Sequence, residues 1–188
     1  MSAHRLLRLA LVSDKRAGVA APAKGQRGRR SWRASSPARR TAAATLDAHS
    51  LEELVQRHCA LAAPPLVPEI LLHLLREDDI MRLWSDMEAA DGSGVAFPPP
   101  YWAVAWPGGQ AVARYVLDNP ECVEGRSVWD VGAGCGIGAI AAAKRGAVYA
   151  LSNDVDPCCE TVVGLNSAAN HVTVATSSQD LLVERASE

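Results

Sequence analysis

From residue 127 onward the apolar positions fall into short blocks that alternate between two rhythms. "SVWDV", "AVYALSND" and "HVTVATS" are apolar runs of strand length. Between them lie "GIGAIAAAKRG" and "DPCCETVVGLNSAAN", each long enough for a helix; Gly146 closes the first, and Pro157 opens the second. Strand–helix–strand–helix–strand predicts a parallel sheet with right-handed crossovers, half of a doubly wound α/β fold.

Upstream the rhythm is helical. "SLEELVQRHCAL" sets Ser50 three residues before Glu53, a capping-box start, with Leu51, Leu54 and Val55 on one face. "PPLVPEILLHLLREDDIMRLWSDM" offers Pro68 to a first helical turn and a stripe of Ile70, Leu71, Leu74 and Leu75. Residues 46–96 are therefore expected to be a helical segment whose stripe packs on the domain C-terminal to it. "FPPPYWAVAWPGGQAVARYVLDNP" interrupts that pattern. Its prolines stop any helix at Phe97, Pro107-Gly108-Gly109 marks a turn, and a helix from Gln110 to Leu117 ends before Pro120. Tyr101, Trp102 and Trp106 crowd the stretch between the turns, where they suit either a ligand wall or plain packing.

Charge adds a division that hydropathy does not show. The net charge is -2, yet Met1–Thr45 holds 11 Lys/Arg and a single acid, Asp14, while the remainder holds 8 Lys/Arg and 20 acids. An Arg-rich, Ala/Ser-rich leader opening on "HRLLRLALV" has the character of a mitochondrial transit peptide. A generic basic tail and a nucleic-acid arm are the competing readings. The leader, residues 1–45, is expected to be disordered and removed on import, so no nucleic-acid partner is expected. No apolar run approaches the roughly 18 residues of a membrane span, so no membrane partner is expected either. Cys59, Cys122, Cys135, Cys158 and Cys159 are odd in number and lack C-x-x-C spacing, which argues against a disulfide framework or a zinc site. The five histidines are scattered, and no metal site is expected.

The chemistry concentrates after the first predicted strand, where Asp130 is followed by Gly132, Gly134, Gly136 and Gly138. In parallel sheets such a turn meets a ligand at the carboxyl ends of the strands, against the helix-terminal N–H groups. A P-loop is excluded, because no Lys-Ser/Thr pair follows at the needed spacing. A dinucleotide remains open, since Gly134, Gly136 and Ala139 satisfy G-x-G-x-x-A. Asp130 tilts the reading away from it: its charge would oppose a pyrophosphate, and it is suited to an amine-bearing ligand.

D-x-G-x-G-x-G resembles motif I of the class I S-adenosylmethionine-dependent methyltransferases. "PYWAVAWPGGQAVARYVLDNP", "VWDVGAGCGIGAIAAAKRGA" and "SNDVDP" together resemble one branch, the family-16 type protein methyltransferases, over roughly residues 64 to 170. The resemblance implies a Rossmann-like fold, of which residues 97–188 supply the N-terminal half of the parallel sheet. Relatives continue into a fourth strand, which implies a truncated C-terminus here. It further implies S-adenosylmethionine as cofactor, held by Asp130, Gly132 and Gly134. Asp154 would take the ribose hydroxyls, which a carboxylate can accept together. Trp106 would line the pocket, and Asp180 would face the adenine amine. The implied reaction methylates lysines of a mitochondrial matrix protein, the electron transfer flavoprotein beta subunit, by a monomer. No metal or nucleophilic side chain is required, because the cofactor brings the electrophile. A catalytically silent fragment or interaction module is the alternative.

Overall fold

The computed structural model describes residues 46–76, 79–94 and 96–181. The expected leader lies outside them, as do residues 182–188. Helix α1 spans Ala48–His58, and strands β1 (Cys59–Ala62) and β2 (Leu72–Leu75) form an antiparallel pair. Helix α2 (Ile80–Asp91), a 3-10 turn at Tyr101–Ala103 and helix α3 (Pro107–Asp118) lead into the second unit. There β3 (Ser127–Val131), α4 (Ile137–Lys144), β4 (Tyr149–Asn153), α5 (Cys158–Ala169) and β5 (Ala175–Ser177) alternate as the hydropathy predicts. The strands lie in the order β3-β4-β5 and all run parallel. The architecture is that of a partial Rossmann-like α/β fold.

Side-chain alternation sets the two faces of this sheet. Val128, Asp130, Ala150 and Ser152 are buried, whereas Trp129 and Tyr149 on the opposite face are 43% and 45% exposed. Helix α4 packs on β3 and β4, and α5 packs on β5. All the residues of α4 from Ile137 to Ala142 are buried, because α3 covers its other side. That explains a helix with small residues all round rather than a polar stripe.

The N-terminal segment is not wholly helical. "LLHLL" was expected on a helix and is instead strand β2, paired Cys59↔Leu75 through Ala62↔Leu72 with β1. Its leucines follow a two-residue period: Leu72 and Leu74 pack into one core cluster, and Leu75 into another. An unbroken apolar run fits a buried strand or a buried helix equally well. Turns decide the matter here, since Val67 N–H donates to Pro64 and Ile70 N–H to Val67, and the run that remains is too short for a stable helix. The cap of α1 also differs. Asp47, one turn before the expected start, accepts from Ser50 N–H at 3.0 Å and from the Ser50 hydroxyl at 2.7 Å. Ser50 is thus inside the helix, and the carboxylate takes the capping role.

Two clusters knit the units together. In one, Leu51, Leu54, Val55, Leu83, Met87 and Trp102 pack on Cys158, Cys159 and Val162 of α5. In the other, Val67, Ile70 and Leu72 join α3, α4 and Val128. The N-terminal segment therefore buries its apolar side on the sheet unit. The five cysteines are free thiols, and burial pushes Cys135 up to about 12, which makes it a packing residue rather than a nucleophile.

Candidate active site

The β3–α4 turn is held from two directions. The N–H groups of Gly132 and Ala133 both donate to the Asn153 carbonyl at the end of β4, at 2.8 and 3.1 Å. Gly134 N–H donates to Asp154 Oδ2 at 2.9 Å, and Asp154 Oδ1 accepts from Asp156 N–H at 3.0 Å. The two strand ends are thereby joined at the place where a ligand of a parallel sheet binds. Both Asp154 oxygens retain lone pairs for further donors.

Asp130 lies beneath the turn, only 6% exposed. Its Oδ2 accepts from Ala139 N–H at 2.9 Å in the first turn of α4, and Gly138 N–H also bonds the carboxylate. Burial pushes its pKa up to about 6; the two amides oppose that shift, and the charge of Asp154 adds to it. A buried carboxylate whose donors among the described residues are backbone amides is poised to accept more.

The glycines that the sequence presents as equals have different duties. A Cβ on Gly138 would lie 2.7 Å from Asp130 Oδ2, and one on Gly136 would lie 2.8 Å from Val163 Cγ2. These two glycines make room for protein. Around Gly132, at φ +72, a Cβ would meet nothing within 4 Å, and near Gly134 the closest atom would be Trp102 Cα at 3.8 Å. These two leave room for something else. Gly109 of α3 also comes close to protein, its Cβ position 3.2 Å from Ile137 Cγ2. A hollow of about 20 Å³ lies between Gly109, Val112, Asp130, Gly132 and Gly138. A larger hollow of about 410 Å³ sits at the opposite, amino ends of β4 and β5, lined by Val148, Tyr149 and His171 among others. Parallel sheets do not bind cofactors at that end.

The aromatic group divides. Trp102 is 1% exposed and belongs to the core. Trp106, 47% exposed at the head of α3, donates from Nε1 to the Tyr101 carbonyl at 2.9 Å, and its ring meets Tyr101 edge-on with centroids 5.9 Å apart. The structure thus gathers Asp130, Gly132, Gly134 and Asp154, sets Trp106 on the adjoining helix, and leaves Asp180 exposed three residues beyond β5. Asp156 serves the fold, its Oδ1 accepting from Cys158 N–H at 2.9 Å at the start of α5. Sequence reasoning passed over Asn153 and read Gly109 as part of a turn ahead of the helix, whereas it lies in the first turn of α3. The signals were present: a polar residue closing a predicted strand, and a second glycine at a helix start.

The model of the ribosomal protein L11 methyltransferase family matches residues 115–187. The likeness is to methyltransferases. The electron transfer flavoprotein beta subunit lysine methyltransferase of Homo sapiens is 47% identical over 109 residues, 57% of this chain and 38% of that protein. The Xenopus laevis protein of the same name is 39% identical over 136 residues, 70% of this chain and 51% of its own length. A Caenorhabditis elegans homologue is 35% identical over 116 residues, 62% of this chain and 45% of its length. The chain spans about half the length of the curated relatives it matches. The resemblance read from motif I and "SNDVDP" is borne out, and the partial Rossmann-like sheet is of methyltransferase type.

Proposed function

We propose that this chain binds S-adenosylmethionine at the β3–α4 turn and serves methyl transfer to lysine side chains of the electron transfer flavoprotein beta subunit in the mitochondrial matrix. The observation that carries the reading is the pairing of a buried carboxylate, Asp130, with the open backbone at Gly132, beside Asp154 at the end of the next strand. Asp130, Gly132 and Gly134 hold the amino-acid part of the cofactor, Asp154 accepts from its ribose hydroxyls, and Trp106 covers one side. Asp180 takes the adenine amine. The cofactor supplies an electrophilic methyl group on sulfonium, so the protein's work is placement and exclusion of water.

A dinucleotide fits less well. In that fingerprint the second glycine lets the backbone approach the pyrophosphate. Here that glycine, Gly136, is turned against Val163. The substrate is taken from the names of the relatives, and the compartment from the basic leader. Residues 1–45 are proposed as the import signal, 46–96 as the packing segment and 97–188 as the cofactor-binding unit, acting as a monomer.

Calorimetric titration of S-adenosylmethionine into the full chain, with NADH as control, tests the cofactor. Saturable binding of the first alone is expected; binding of NADH alone overturns the reading. Labelled methyl transfer to the purified flavoprotein subunit tests the activity. Cofactor binding without transfer would identify a binding module instead.

A further inference from the structure

Two asparagine side chains at the C-terminal end of α5, Asn166 within it and Asn170 at its cap, do the work of a strand. Leu71 N–H donates to Asn170 Oδ1 at 3.0 Å, and Asn170 Nδ2 donates back to the Leu71 carbonyl at 2.6 Å, the two-way exchange of a ladder pair. One turn earlier on the same helix face, Asn166 Oδ1 accepts from His73 N–H at 2.8 Å. His73 Nδ1 lies 2.9 Å from the same oxygen and donates to it in the tautomer that carries its proton there. The outer edge of β2 is thereby covered without a third strand.

Asn166 does one thing more. Its Nδ2 donates to the Cys135 carbonyl at 3.0 Å, inside the glycine turn. Asn166 is fully buried and Asn170 is 5% exposed, so neither amide can exchange its partners for water. Cys135 directly precedes Gly136, whose own N–H closes a turn onto Ala133 at 2.9 Å. The carbonyl held by Asn166 therefore sits between the open half of the turn, Gly132 and Gly134, and the packed half, Gly136 and Gly138. Asn170 bonds Leu71 and the Asn166 carbonyl and does not reach the turn through any of these bonds.

We infer that Asn166 is a positioning residue for the cofactor turn, tying the β1–β2 hairpin to the Cys135 carbonyl, whereas Asn170 anchors the hairpin alone. The matched pair supplies its own control: two buried asparagines one turn apart at the end of α5, one bonded to β2 and the other to the residue just before it, only one of them bonded to the turn. Asn166→Asp keeps an acceptor for His73 and removes the donor to Cys135. Asn170→Asp keeps an acceptor for Leu71 and removes its own return donor.

Hydrogen exchange of peptides covering residues 132–139 in the full-length protein is the deciding measurement, because it needs no ligand. Both variants are expected to lower the melting temperature. Only Asn166→Asp is expected to speed exchange in the turn, by about tenfold beyond the change in residues 72–75. Equal protection of the turn in the two variants would overturn the inference and make Asn166 a structural anchor like Asn170. The second readout rests on the proposed cofactor: affinity for S-adenosylmethionine should fall about tenfold more in Asn166→Asp than in Asn170→Asp. If the unaltered chain ignores S-adenosylmethionine, the cofactor reading fails, and the exchange contrast still decides the role of Asn166. The milder Asn166→Ser, whose hydroxyl is too short to span both partners, repeats the test if the aspartate variant does not fold.

Discussion

The two halves of the glycine turn look identical in sequence and are opposites in space. Gly136 and Gly138 have protein atoms where a Cβ would go, and Gly132 has none within 4 Å. The packed half is glycine because the fold closes on itself there; the open half is glycine for the sake of whatever approaches it. Alternating glycines thus do two jobs, and substitution separates them: loss of stability marks the packed pair, and loss of ligand marks the open pair.

The largest effect is expected at Gly136. An alanine there would adopt φ +77 and press on Val163 at 2.8 Å. Left-handed strain of about 1–2 kcal/mol joins an overpacking cost of about 1–3 kcal/mol, so Gly136→Ala should lose about 2–5 kcal/mol in urea unfolding. Gly138→Ala carries an overpacking cost of about 1–3 kcal/mol that outweighs its gain in helix propensity, so a net loss is expected. Its sign is the informative part, because Gly to Ala inside a helix ordinarily gains up to about 1 kcal/mol. A gain at Gly138 would show that Asp130 yields readily and would erase the distinction between the halves.

Asp130 is the floor on which both halves rest, and its charge offers a second way to separate them. The native carboxyl titrates near 6 against an ordinary value of 3.8, owing first to burial. Between those values the folded chain binds more protons than the unfolded one, so this group makes stability fall as pH rises from about 4 to 6. Asp130→Asn should flatten that fall, since the amide does not titrate and its oxygen still accepts from Ala139. Affinity for S-adenosylmethionine should move the other way, dropping roughly 10- to 100-fold, the worth of a charged hydrogen bond. In the unaltered protein affinity should weaken below pH 6 as Asp130 takes up its proton. An Asn variant that binds as tightly as the parent would remove Asp130 from the cofactor site.

The parallel unit was legible because its elements advertise their period. "SVWDV" and "GIGAIAAAKRG" differ in length and in residue size, and glycine and proline mark their ends, so β3, α4 and β4 fall where expected. The acid before the turn and the acid after β4 were legible for the same reason, since strand ends locate ligand groups in such sheets. "LLHLL" has no alternation of polar positions to declare a period, and its strand state depends on β1 and on asparagines more than 90 residues away. No local pattern carries that information. The division among the glycines was hidden likewise, because Val163 and Trp102 reach the turn only through the packing of α5 and the 3-10 turn. Trp102 and Trp106 differ in burial for a reason of the same kind: one lies in the 3-10 turn that packs into the core, and the other heads an exposed helix start.

The smallest expected change in stability belongs to Gly132, and it tests the open half directly. Gly132 adopts φ +72 and Gly92, the cap of α2, adopts φ +62; a Cβ on either meets nothing within 4 Å. Gly132→Ala and Gly92→Ala should therefore share the same backbone strain, about 1–2 kcal/mol each, and unfold in urea at similar concentrations. They should part only in the presence of S-adenosylmethionine. At Gly92 the added methyl points into solvent, so affinity should match the parent. At Gly132 it stands where the cofactor must approach the backbone, and affinity should fall about tenfold or more, since close approach is what a glycine at such a turn permits. Equal affinity in the two variants would mean that the space beside Gly132 is merely empty, and the open half of the turn would lose its claim to a ligand.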